Sequence, residues 1–364
     1  MEAFDNTSMC LYTFEVVEEL VGKNITEDDD LTWPCELRSF WVEIIPLVQT
    51  VRVLLSYGTS FVVILGVLGN LLSFVVLNQK EMRKNPPNLY LSVLEIYDTF
   101  TLVFNFMIGV LRGRNSVVNT IFQDSEALCT IHSIVVELFN MLSVWIIVAF
   151  TVERYIMIRF CLKVRPSRRR TGVIIAVLSF IIFLISLHKI AVSGFEGDSV
   201  FGYKACKTRR IIFKEIISVG VALNTWVPTL LIATVNVGII QEMRINRRRH
   251  DYLGQMEFSE ADERTAKLLL LVSTRYVLLV LPLGIVQTIE LIWNGMNAVS
   301  PGHPYYVSFM ITKLRLKWTR AFFFFFYQLN FAINIFLYVA SSSATNFRSN
   351  LRRVLGIKQH AESS

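Results

Sequence analysis

The sequence predicts an all-α membrane protein built as a seven-transmembrane helix bundle, and three observations carry that prediction. Seven stretches are long and apolar enough to cross a bilayer core, which takes about 20 mostly apolar residues per helix. They are roughly 51–78, 88–111, 125–158, 171–192, 214–243, 260–294 and 314–340. Only 18% of the 364 residues are charged and 53% are hydrophobic, with a mean hydropathy of +0.48, whereas soluble domains sit near a quarter charged. Basic residues cluster after every second stretch, as a chain threading back and forth requires.

Taken in order, residues 1–50 form an N-terminal segment with the acidic run Glu27-Asp28-Asp29-Asp30. Its start holds Glu2, Asp5, Glu15, Glu18 and Glu19 in place of a basic region followed by an apolar core. The first span therefore does the targeting. Lys80, Arg83 and Lys84 follow span one, and Arg159, Lys163, Arg165 and Arg168–Arg170 follow span three. Arg244 and Arg247–Arg249 follow span five, and Arg348, Arg352 and Arg353 follow span seven. The positive-inside rule makes that side cytoplasmic, so the N-terminus is extracellular and the chain is a multi-pass protein of the plasma membrane. Two glycosylation sequons, at Asn6 and Asn24, fall on the outer side. The bundle occupies 51–343 and a cytoplasmic tail 344–364. The net charge of +7 and pI near 9.2 belong to the cytoplasmic rim, which meets anionic lipid and a cytosolic partner and excludes a nucleic-acid reading.

Of five cysteines, Cys10, Cys35, Cys129 and Cys206 lie outside and Cys161 inside. Four in an oxidising compartment allow three pairings. Bridging Cys129, at the start of span three, to Cys206, in the loop after span four, would pin that loop over the bundle mouth. Cys10 with Cys35 would then close a local loop, the other reading being two independent thiols. Cys161 is a spectator or a palmitoylation site.

Span three runs from Cys129 to Arg154, about 37 Å of helix, and ends in Glu153-Arg154-Tyr155. Span one holds Gly69-Asn70, and span two reads Asn88-x-x-Leu91-x-x-Leu94-x-x-x-Asp98. Pro228 and Pro282 stand in spans five and six, and span seven ends Asn334-Ile335-Phe336-Leu337-Tyr338, with isoleucine where proline is usual. Taken together, these features resemble the rhodopsin-like, class A G-protein-coupled receptors from about residue 50 to 356. Asn346-Phe347-Arg348 and Leu351-Arg352-Arg353-Val354-Leu355 look like that family's short amphipathic eighth helix. The resemblance implies a receptor without enzymatic activity that couples to a heterotrimeric G protein.

An intramembrane carboxylate costs at least ~2.5 kcal/mol unless paired or hydrated. The family fold would place Asn70, Ser143, Asn330 and Asn334 around Asp98. In the family this cluster often holds an allosteric sodium ion, and the alternative is a hydrogen-bonded polar knot without one. No other cofactor is implied. Arg154 has Glu153 beside it and Asp262 at the inner end of span six. A pair Arg154–Asp262 would tie span three to span six, unless Asp262 and Glu263 merely cap their helix.

Val136 stands where amine receptors carry aspartate, and Gln328 where opsins carry their lysine. The outer half offers His132 and Glu137 on span three, Gln287, Glu290 and Trp293 on span six, and Arg315 and Trp318 on span seven. A buried, otherwise unpaired Glu137 would welcome a cationic ligand group, the alternative being an internal partner such as His132 or a loop lysine or arginine. Trp226-Val227-Pro228 with Asn236, Leu281-Pro282-Leu283-Gly284-Ile285 without the usual tryptophan (here Val280), and Asn330–Tyr338 resemble invertebrate FMRFamide- and myosuppressin-type neuropeptide receptors. That resemblance implies a short peptide ligand ending in Arg-Phe-amide. A chemoreceptor for small environmental molecules is the alternative on the same fold. A transporter or channel fits poorly with an odd span count and no internal repeat. The five scattered histidines build no metal-hydrolase motif.

Overall fold

The computed structural model describes residues 33–160, 167–197, 204–208, 219–253, 260–296, 299–340 and 344–356. Among these, six helices are long and apolar enough to cross a membrane: Cys35–Leu77, Pro87–Arg112, Glu126–Arg159, Arg168–Ala191, Val219–Ile245 and Arg264–Gly295. Tyr306–Leu329 and Asn334–Ala340, bent by 52° at a short break, form the seventh. Their outward faces are apolar where a water-soluble protein would be polar. Phe61, Ile64, Leu68 and Leu71 on span one, with Val173, Val177, Phe180 and Leu184 on span four, are all at least 50% exposed. Such a belt is stable only against lipid. The seven-span expectation is met.

Two boundaries differ from it. Span one begins at Cys35 rather than near 51, and its 43 residues run about 64 Å, twice a hydrocarbon core. Three charged residues and Pro46 disguise the first turns. Packing holds them: Trp33, Leu37, Phe40, Trp41 and Val48 form a closed cluster with Tyr306, Phe309, Met310 and Leu314 of span seven. Span seven likewise starts at Tyr306 rather than 314. A short helix, Ser116–Asp124, follows span two and is capped by the Asn115 side chain, which accepts from the N–H groups of Val117 and Val118.

After span four, β1 (Ser193–Gly197) pairs antiparallel with β2 (Lys204–Thr208), placing Phe195 opposite Cys206. At the arginine-rich end, Arg168 donates to the Arg83 carbonyl at 2.7 Å and Arg159 pairs with Glu242 at 3.2 Å. The expected eighth helix is Ala344–Val354. Its buried Phe347 packs edge-on against Tyr338 with centroids 5.5 Å apart, and Arg348 donates to the Val339 carbonyl at 2.7 Å.

Span seven breaks without proline. The Phe331 carbonyl, which Ile335 would serve in a continuous helix, accepts instead from Asn70 Nδ2 of span one at 2.9 Å. The two spans meet so closely that a Cβ on Gly66 would lie 2.7 Å from the Ala332 Cβ and 3.0 Å from its Cα. Backbone cannot give way cheaply there. Gly66→Val is therefore expected to cost about 1–3 kcal/mol or more and to lower the melting temperature of the purified receptor. Gly109→Ala, where an added Cβ meets nothing within 4 Å, serves as the control and should melt within a degree or two of wild type, on the order expected for an unconstrained surface change.

Candidate functional site

Midway through the bundle stands a cluster of buried ionisable side chains. Asp98 and Glu95, one helical turn apart on span two, have no exposed surface, and Arg275 of span six is 6% exposed. Asp98 accepts from Ser143 Oγ of span three and from Asn334 Nδ2 of span seven at 2.6 Å. The other end of the same amide, Asn334 Oδ1, accepts from Arg275 Nη1. Glu95 Oε1 accepts from Tyr338 Oη at 2.6 Å. Spans two, three, six and seven thus meet at one polar knot. Ser143 and Asn334 join Asp98 as expected. Asn70 serves the Phe331 carbonyl instead, and Asn330 makes no side-chain hydrogen bond to protein.

A second junction lies further out, where span five widens into a π-turn at Ala222–Trp226. The Val227 N–H reaches back to the Ala222 carbonyl, and Pro228 has no N–H, so the Leu223 and Asn224 carbonyls are short of donors. Neighbouring spans supply them. Trp145 Nε1 donates to Leu223 at 3.2 Å, and Tyr276 Oη donates to Asn224 at 3.1 Å. The Asn224 side chain in turn donates to Glu137 Oε1 at 2.9 Å.

At the outer end the expected contact residues are engaged with the chain itself. Glu137 is not unpaired: besides Asn224, Lys189 Nζ at the end of span four lies 3.8 Å from its Oε2. An internal cation is the alternative that the sequence left open. His132 is not that partner. Its Nε2 bonds the Phe104 carbonyl at 2.8 Å, which makes Nε2 the protonated nitrogen, and its ring meets Phe122 edge-on at 5.2 Å. Glu290 pairs with Arg320 at 3.1 Å, while Gln287 is half-buried one turn inward. Arg315 caps the Phe40 ring at 5.0 Å, Trp318 lies against Trp41 with centroids 6.2 Å apart, and Trp293 borders the same cluster. Two of the seven expected contacts, Arg315 and Trp318, thus lie against the early turns of span one.

Cys129 is fully buried at the outer end of span three. β1 runs beside that span and β2 beside the short helix after span two. The Cys206 side chain, Cys10, Cys161, Asn6 and Asn24 lie outside the described residues.

The family model for the 7 transmembrane receptor (rhodopsin family) matches residues 69–338 of this chain. The chain belongs to that family. No curated protein matches it closely enough to count as a relative. Membership makes this a multi-pass signalling receptor whose cytosolic partner is a G protein, in a family that is generally non-enzymatic. Arg154 of the receptor's E-R-Y motif is 2% exposed with its guanidinium 5.7 Å from the Phe150 ring centre. Tyr155 packs beneath Gly238 of span five. Glu153 is half-buried. The Asp262 side chain lies outside the described residues, so the expected Arg154–Asp262 pair stays an expectation.

The family fold also implies a sodium ion at Asp98, and the receptor's residues do not fit one. Both Asp98 oxygens and Asn334 Oδ1 already accept hydrogen bonds, and a guanidinium brings its own positive charge to the same knot. The sequence reading missed Arg275, Glu95, Lys189, Asn224 and Arg320. The signal for the first two was present, since an ionisable residue in the middle of a span is a functional candidate whatever its sign.

Proposed function

We propose that this receptor binds a short amidated peptide at its outer end and answers by opening its cytoplasmic face to a heterotrimeric G protein. The observation that carries the peptide reading is Glu137, an acid two turns inside the bundle whose only cation is Lys189 at 3.8 Å among the described residues. That separation is long for a buried pair. The arginine of an Arg-Phe-amide peptide, with its fork of donors, would outcompete a single distant ammonium. Glu290 offers a second carboxylate held by a half-exposed arginine. Of the aromatic side chains nearby, Trp293 suits a phenylalanine amide, and Trp318 would do so by giving up its contact with Trp41.

The proposed orientation places the N-terminus outside the plasma membrane, with glycans at Asn6 and Asn24. The proposed disulfides are Cys129–Cys206 and Cys10–Cys35. Support for them comes from Cys129 and Cys35, neither of which is a free thiol, and from the strand pairing that brings the Cys206 backbone to the mouth of the bundle. Ligand binding would bias a two-state bundle, with span six as the moving element.

A G-protein activation screen of the intact receptor against short amidated peptides and their free-acid counterparts tests this reading. Arg-Phe-amide peptides should activate, and Glu137→Gln should right-shift their potency by about 30-fold or more at matched surface expression, the equivalent of about 2 kcal/mol for a desolvated charge pair. Silence across the library, or unchanged potency in the variant, would contradict it. For the inner end we propose that Asp262 restrains Arg154. Asp262→Ala should then raise ligand-independent signalling, and basal output equal to wild type at equal expression counts against the restraint.

A further inference from the structure

We propose that Arg275, reaching the buried acid Asp98 through Asn334, is its resident counter-ion, and that it replaces a metal cation there and fastens span six to the core. The inference stands on the fold alone and is independent of the ligand.

The connection runs through one amide. Arg275 donates to Asn334 Oδ1, and Asn334 donates onward to Asp98 at 2.6 Å, so the positive and negative groups grip opposite ends of one side chain. Ser143 closes the other Asp98 oxygen. A hard cation such as sodium binds through oxygen lone pairs. Here both Asp98 oxygens and Asn334 Oδ1 already face O–H and N–H donors, and Glu95 Oε2 and Asn330 Oδ1 are the buried oxygens left without one. A sodium ion would also have to approach a guanidinium that is fully enclosed with it, and like charges at such range repel strongly where water is excluded. The arginine cannot diffuse away, so its effective concentration at the site is fixed by the fold.

The helix that supplies the charge gives the contact its meaning. Every acceptor in the knot sits on spans two, three or seven, while Arg275 alone comes from span six. A metal ion held by the first three would give span six no share in the knot, leaving its neighbouring polar contacts, Ser273 with Asn236 and Tyr276 with Asn224, to run to span five. A tethered guanidinium makes the position of span six part of the charge balance, because moving that span outward would take from buried Asp98 the cation that holds the far end of its Asn334 partner. Arg275 Nε and Nη2 and Glu95 Oε2 make no hydrogen bond to protein. The contact therefore rests on one amide and on charge, which suits an attachment that must release. Arg275 acts here as a positioning residue, since it holds span six and touches no ligand.

The test uses sodium itself as the probe, on membranes bearing the intact receptor and with no agonist present. Basal nucleotide loading of the G protein and the receptor's melting temperature are measured in sodium chloride and in N-methylglucamine chloride at equal ionic strength. Wild type should give the same values in both salts. Arg275→Gln should raise basal loading about fivefold or more, the scale of a typical coupling between sites. A sodium-dependent fall in that loading, as the bared carboxylate recruits the ion, would strengthen the case, and loading that stays high in both salts also supports the counter-ion role. Arg275→Lys should remain indifferent to sodium. Wild-type loading or melting that shifts with sodium, and loses the shift in Asp98→Asn, overturns the proposal, and this arm holds even if Arg275→Gln fails to reach the membrane. An expressed Arg275→Gln receptor with wild-type loading in both salts overturns it as well.

Discussion

Two carboxyl groups and a guanidinium stand at mid-depth in a bundle whose outer faces are apolar, with almost no surface of their own exposed. Each would cost at least ~2.5 kcal/mol there in isolation, so they persist only by answering one another. That demand organises the inner half of the molecule. It fixes Ser143, Asn334 and Tyr338 as the polar members of spans three and seven, because these must donate to Asp98 and Glu95. It draws span six inward through Arg275. Tyr338, turned toward Glu95, presents its ring edge to Phe347 and so seats the eighth helix. Spans one and four take no part in this knot: the first is held by a glycine-lined contact and by Asn70 on span seven, and the fourth, largely lipid-facing, by a hydrogen bond between Ser179 and Tyr97 of span two.

The same intolerance of unpaired polar groups explains where the helices depart from ideal geometry. Inside a bilayer a backbone carbonyl without a donor costs several kcal/mol. Each irregular turn described above has side chains from other spans at hand. Asn70 serves the broken turn of span seven, and Trp145 and Tyr276 serve the π-turn that precedes Pro228. Because Asn224 belongs to that turn and also reaches Glu137, the outer acid is mechanically continuous with spans five and six. Tyr276, which donates to the same turn, is the immediate neighbour of Arg275 in sequence. The outer site and the polar knot are thus linked by a short run of hydrogen-bonded and adjacent residues.

Much of this was legible in the sequence, for physical reasons that differ from one residue to the next. Spans were visible because lipid enforces length and apolarity. Asp98, Ser143 and Asn334 were visible because a polar residue in such a span must find others. The early turns of span one were not, since Glu36, Arg38, Glu43 and Pro46 give them the composition of a surface segment and only tertiary packing onto span seven makes them helical. Glu137 was legible as a buried acid, but Lys189 and Asn224 are 52 and 87 residues distant, and nothing local announces such a meeting. Arg275 stands in the middle of its span, where a lone basic residue is a signal in itself, but the sequence does not say which acid it meets. Its burial depends on which face of span six turns inward, which periodicity alone leaves open in a helix apolar nearly all round.

The central claim is that Asp98 and Arg275, which share no direct hydrogen bond, stabilise the fold as one unit. A double-mutant cycle tests it most directly. Melting of the purified receptor would be compared for wild type, Asp98→Asn, Arg275→Gln and the two substitutions combined. The account predicts that the double variant is more stable than the sum of the single losses implies, by a coupling of about 1–3 kcal/mol, because each single change strands the other charge. Additivity to within about 0.5 kcal/mol would contradict it and would leave the two residues as separate features of the same core.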